Sequence, residues 1–210
     1  MRIQKLICNH ENAPLVLVFL GYAFTPDCLK NFDFQNCDVA VVYDYQNFEF
    51  ENPELFEEIK NSNREKILIA WSMGVWVANQ FASEIKFQKA VAINGTPFGI
   101  HDSFGISKET FKNSIDNFDF EMFKKWCFLG DAAKANFKFS ENPKAELQNF
   151  YDHILENVEN KIAWDKAIVS KKDVVFPPKA SACFACPVQT ILAPHFPFFK
   201  LKSLEEILAI

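Results

Sequence analysis

The chain alternates between short unbroken apolar runs and longer stretches in which apolar and polar residues recur at helical spacing. Leu15-Val16-Leu17-Val18-Phe19-Leu20 is rich in β-forming residues, has no polar alternation and ends at Gly21. That is the pattern of a strand covered on both faces. Val39-Ala40-Val41-Val42-Tyr43, Ile67-Leu68-Ile69-Ala70 and Ala90-Val91-Ala92-Ile93 repeat it. Two further runs come late, Ala167-Ile168-Val169 and Val188-Gln189-Thr190-Ile191-Leu192. Between residues 70 and 90, Val75, Trp76, Ala78, Asn79, Phe81, Ala82 and Ile85 fall on one helical face. Strands alternating with crossover helices predict a mostly parallel, doubly wound α/β sheet. Residues 201–210 read as a closing amphipathic helix.

From about residue 99 to 165 this rhythm breaks. No buried strand is visible there, but Phe111, Ile115 and Phe118, and later Leu147, Phe150, Tyr151, Ile154, Leu155 and Val158, keep helical spacing, with Pro143 dividing the stretch. An all-helical insertion between late strands predicts a cap over the carboxyl ends of the strands, where ligands of open α/β sheets bind. The expected organisation is one domain over residues 1–210 carrying that cap, since 210 residues exceed one average domain without filling two.

Composition adds exclusions. A net charge of −5 argues against a general nucleic-acid binder, which needs surplus Lys and Arg. After residues 1–5 the apolar stretch is only Leu6-Ile7-Cys8, far short of a signal-peptide core, and the longest apolar-rich run, Pro14 to Phe24, is half of a spanning helix, so a cytoplasmic protein away from membranes is expected. The six cysteines are expected reduced, and Cys183-x-x-Cys186 is read as packing rather than a zinc or redox site, because no second ligand pair stands at a fitting distance. Phenylalanine, 24 of 210 residues, is abundant enough to fill a core and line an apolar pocket as well.

The most informative residues are Ala70-Trp71-Ser72-Met73-Gly74, at the junction of a buried strand and a helix. This is the setting of the nucleophile elbow, whose sharp turn requires small residues around the serine. Ala70 stands where glycine is usual. A serine needs a base, and in this arrangement acid and histidine follow it in chain order. Of His10, His101, His153 and His195, only His195 follows the last predicted strand. Asp173 lies just past the penultimate strand, whereas its rival Asp165 precedes that strand and starts at the wrong sheet edge. Ser72, Asp173 and His195 are therefore the expected triad of an α/β-hydrolase fold. The oxyanion donors expected are the N–H groups of Met73, after the nucleophile, and Tyr22, beside Gly21 in the loop after the first buried strand.

Phe19-Leu20-Gly21-Tyr22, Trp71-Ser72-Met73-Gly74-Val75-Trp76, Asn94-Gly95-Thr96-Pro97, Phe104-Gly105-Ile106 and His195-Phe196-Pro197-Phe198 together resemble the BioG family of short bacterial pimeloyl-acyl carrier protein methyl ester esterases. The resemblance runs over essentially the whole chain. It departs from the family pattern at Ala70, at Tyr22 where Trp is expected, and at Ala193-Pro194 before the histidine. It implies hydrolysis of a carrier-bound pimeloyl methyl ester to pimeloyl-acyl carrier protein and methanol in biotin synthesis, with the triad on Ser72, Asp173 and His195 and no cofactor or metal. Gly21, Tyr22, Trp71 and Phe128 are then the expected substrate-binding residues, while Trp76 is expected in the core. Lys124 and Lys125 are the expected contacts for the acidic carrier protein. The oligomeric state is left open, a monomer being favoured. A broad small-ester carboxylesterase, an acyl-carrier thioesterase using the same triad and a catalytically silent binding module are the alternatives.

Overall fold

The buried runs pair side by side. In the computed structural model, which describes residues 1–8, 12–154 and 158–210, seven strands form one sheet. They are β1 (Arg2–Ile7), β2 (Leu15–Phe19), β3 (Asp38–Tyr43), β4 (Lys66–Trp71), β5 (Lys89–Ile93), β6 (Lys166–Ser170) and β7 (Val188–Ile191). The spatial order is β1-β3-β2-β4-β5-β6-β7, with β1 antiparallel to β3 and every other pair parallel. The fold is thus the mostly parallel α/β-hydrolase arrangement that the strand pattern predicts. His10 and Leu155 lie outside the described residues.

Because successive strand residues face opposite sides of a sheet, each central strand feeds two cores. Leu17, Phe19, Leu68 and Ala70 pack on one face, against α1 (Pro53–Asn61) and α2 (Met73–Phe81). Val16, Val18, Ile67, Ile69 and Trp71 pack on the other, against a Phe-rich group and the terminal helix. Two edge strands depart from the sequence reading. The antiparallel β1 is absent from it, since only Ile3 among Arg2–Ile7 is buried. Val188, Gln189 and Thr190, read as covered on both faces, are exposed, because β7 ends the sheet and has only β6 as a neighbour.

Among the described residues three α-helices come between β5 and β6, α3 (Lys108–Asp116), α4 (Phe120–Phe128) and α5 (Pro143–Asp152). Each has a side-chain cap at its start: Ser107 accepts from the Thr110 amide, Asp119 from Met122 and Asn142 from Ala145. Pro143 opens α5, where its missing N–H costs nothing. The closing helix, α6, runs Leu204–Ala209. Among the described residues no helix is long and apolar enough to cross a membrane.

Candidate active site

A single residue, Ser72, connects β4 to α2, and it holds φ 59° and ψ −131°. A non-glycine residue holds such angles only where its surroundings impose them. Gly74 lets the turn close. A Cβ there would lie 2.4 Å from the carbonyl oxygens of Phe19 and Leu20, so any side chain would push helix from strand. Gly21 brings the loop after β2 against the same turn: a Cβ on it would stand 2.9 Å from the Ser72 Cβ. Ala70 is fully buried in the sheet, where its methyl packs without displacing the turn.

Asp173 follows β6 and His195 follows β7, both at the carboxyl edge of the sheet. The His195 Nδ1 lies 2.8 Å from Asp173 Oδ2 and its Nε2 lies 2.8 Å from Ser72 Oγ. Asp173 Oδ1 accepts from the amides of Val175 (2.8 Å) and Phe176 (2.9 Å), which fixes the carboxylate plane. A carboxylate only accepts, so Nδ1 carries the proton and Nε2 is left to accept from the Ser72 hydroxyl. The three residues are 4%, 7% and 1% exposed. Asp165, at the opposite end of β6, instead accepts from the Ala90 amide at 2.7 Å. His101 Nδ1 accepts from the amides of Ser103 and Phe104, and His153 Nδ1 bonds the Asn149 carbonyl; neither joins Ser72.

The backbone of His195 is held as firmly as its ring. Its carbonyl accepts from the Asn94 side-chain amide at 2.8 Å and from the Trp71 indole at 3.0 Å. Asn94 also donates to Ser170 Oγ at 2.8 Å and accepts from the Ser170 amide at 2.7 Å. It therefore ties the ends of β5 and β6 to the histidine loop. The amides of Tyr22 and Met73 have no backbone acceptor among the described residues; Met73 directly follows Ser72, and Tyr22 follows Gly21, which packs against Ser72.

A cavity of about 320 Å³ opens on Ser72, Met73 and Tyr22. Its walls are mainly apolar and come from α3, α4 and the loop after Asp173, with Phe111, Phe123, Trp126 and Val174 prominent. Tyr22 packs edge-on against Phe123, ring centroids 4.8 Å apart, and burial pushes its phenol pKa upward. Trp76 is buried in the core against Phe48 and Phe150.

Two expected substrate contacts are corrected. Phe128 does not line the cavity. It is buried with Phe24, Phe137, Phe139, Phe196 and Phe199, because the last turn of α4 faces the sheet. Trp71 does not line it either. As the last residue of β4 it points to the face opposite Ala70, where it meets Phe196, Phe198 and the His195 carbonyl. Gly21 is placed against Ser72 and Trp71 rather than on the cavity wall. Lys124 is engaged with Glu121 and lies over the Phe120 and Phe139 rings, whereas Lys125 is exposed.

Two residues are given no role by the sequence, although Asn94 stands in one of the family motifs. Asn94 stands directly after β5 at the edge that holds Ser72, a polar residue ending an apolar run, and this position is its signal. Glu146 is 0% exposed on α5 and accepts from the amides of Ala23 and Tyr45, both at 3.2 Å. Nothing in its local sequence marks it. The thiol of Cys183 is partly buried and pushed up to about 12 by desolvation. Among the described residues no three His, Cys, Asp or Glu side chains gather as metal ligands.

The family model of the pimeloyl-acyl carrier protein methyl esterase BioG matches residues 1–207. A Haemophilus influenzae protein of uncharacterised function is 30% identical over 216 aligned residues, covering 95% of this chain and 96% of its own length. The crystal structure of BioG from Haemophilus influenzae superposes with a TM-score of 0.83 at 27% identity, covering 97% of this chain and 99% of that one. A lipase-esterase related protein from Clostridium acetobutylicum, at 14% identity and a TM-score of 0.60 with 93% of each chain covered, shares the fold. The chain belongs to the BioG family of pimeloyl-acyl carrier protein methyl esterases.

Proposed function

We propose that this protein hydrolyses the methyl ester of carrier-bound pimeloyl methyl ester by a serine mechanism, giving pimeloyl-acyl carrier protein and methanol. The observation that carries the reading is the buried run Asp173–His195–Ser72, closed by two contacts of 2.8 Å and opening on an apolar cavity. His195 Nε2 takes the hydroxyl proton as Ser72 Oγ attacks the ester carbonyl. The tetrahedral oxyanion is held by the amides of Tyr22 and Met73, each donor contributing about 3 kcal/mol. Imidazolium, steadied by Asp173, then protonates departing methoxide. Water, deprotonated by the same nitrogen, attacks the acyl-serine, and the proton returns to Ser72 as the free acid leaves. The sequence of steps uses no cofactor.

The cavity supports the substrate class, since an aliphatic diacyl chain with its charge masked as an ester is an apolar ligand. The helical segment 99–165 is the cap of this reading, with the exposed Lys125 as a contact toward an acidic carrier. A cytoplasmic location belongs to the same proposal.

Mass spectrometry of carrier-bound methyl pimelate, incubated with wild type and with Ser72→Ala, tests it. The expected result is loss of one methyl ester per carrier with wild type and none with the folded variant. Hydrolysis of short esters without action on the carrier-bound ester would favour the broad carboxylesterase instead.

A further inference from the structure

Ala23 follows Tyr22 and Gly21, the latter packed against Ser72, and its φ is 66°. Alanine keeps that angle only when something holds it. Both of its peptide groups are held by the segment between β5 and β6. Its carbonyl accepts from the Ser140 amide at 2.8 Å, and its N–H donates to Glu146 Oε2 at 3.2 Å. The neighbours are stapled to the same segment: Phe24 pairs antiparallel with Phe139, and Thr25 Oγ1 donates to the Lys138 carbonyl at 2.7 Å. Through the Tyr45 amide, also at 3.2 Å, the same Glu146 oxygen reaches the loop after β3.

A wholly buried carboxylate is costly where an apolar side chain would pack at no such expense. Desolvation pushes the Glu146 carboxyl up to about 7, with Asp44 adding a like charge and Ser140 and the two amides favouring the ionised form. Tyr22, Tyr45 and the amino group of Met1 share its field. Its placement on the loop beside Ser72 gives that cost a use.

We infer that Glu146 is a positioning residue: from the helical segment it fixes the Gly21-Tyr22-Ala23 loop so that the Tyr22 N–H faces the oxyanion formed at Ser72. The inference rests on the serine-hydrolase reading above. It makes the oxyanion site dependent on the insertion as well as on the sheet.

The test compares wild type, Ser72→Ala, Glu146→Gln and Glu146→Asp at pH 8, measuring kcat and KM on carrier-bound methyl pimelate and the urea unfolding midpoint. Glu146→Gln is expected to unfold no earlier than wild type, because it no longer buries a charge. It should lower kcat about tenfold or more with KM changed less than about twofold. Glu146→Asp, which withdraws the carboxylate by one methylene, should lower kcat in the same way and replaces the glutamine variant if that one does not fold. Unchanged kcat in a folded variant overturns the inference, as does a loss seen only in KM or only in step with a lower midpoint. A wild type as inert as Ser72→Ala would overturn the hydrolase reading and this inference with it, a failure distinct from an active wild type whose Glu146 variants are equally active.

Discussion

The Trp71 indole donates to the backbone carbonyl of His195 at 3.0 Å, linking the residue before the candidate nucleophile to the candidate base 124 positions later. Asn94 donates to the same carbonyl. The histidine is therefore located by its backbone, from β4 and β5, as well as by Asp173. Losing one donor leaves part of a buried carbonyl unpaired at a cost of about 1–3 kcal/mol. Asn94→Ala, which also abandons the Ser170 amide, should lie at the upper end of that range and lower kcat more than Trp71→Phe. Urea unfolding and kcat measured on both variants check the order.

The strained backbone at Ser72 gives a stability prediction that separates angle from hydroxyl. Ser72→Gly and Ser72→Ala both lose the bond to His195, but only glycine adopts φ 59° without strain. The glycine variant should be more stable than the alanine variant by about 1 kcal/mol. Paired thermal unfolding measures the difference, and both variants should be inactive.

Phe128 and Phe123, close together on α4, should behave differently. Phe128 fills an aromatic core, so Phe128→Ala should cost about 3–5 kcal/mol of stability, with KM unchanged in whatever fraction folds. Phe123 faces the cavity and Tyr22, so Phe123→Ala should chiefly raise KM. Steady-state kinetics beside a denaturant titration distinguishes the two.

Glu146 sets a pH dependence with an unusual sign. Its folded pKa, about 7, is above the ordinary 4.5, so the fold binds its proton more tightly than the unfolded chain does. The stabilisation is complete below 4.5 and is lost as pH rises to about 7, a change of about 3 kcal/mol. Relative to Glu146→Gln, wild type should therefore weaken between pH 4.5 and 7 and stay level above. Urea midpoints of the pair across pH 4.5–8 give the comparison.

The central strands are legible because a strand covered on both faces must be apolar throughout, as residues 15–19 and 67–70 are. The edges are not: Arg2–Ile7 shows mostly polar residues, and the apolar character of residues 188–192 marks a strand without revealing its exposure. The meeting of Ser72, Asp173 and His195 is legible because chain order in a doubly wound sheet puts all three at one edge. Trp71 misleads because adjacency in sequence to Ser72 suggests the same pocket, while strand alternation sends it to the other face. Glu146 is illegible because an acid on an amphipathic helix looks like solvent-facing charge until the Ala23 and Tyr45 amides cover it.

The most direct measurement is rapid-quench peptide mass spectrometry of the enzyme during turnover of carrier-bound methyl pimelate. A transient acyl group is expected on the peptide bearing Ser72, appearing with methanol and absent in Ser72→Ala. Methanol released at full rate by Ser72→Ala, or an acyl group found on another residue, would contradict it.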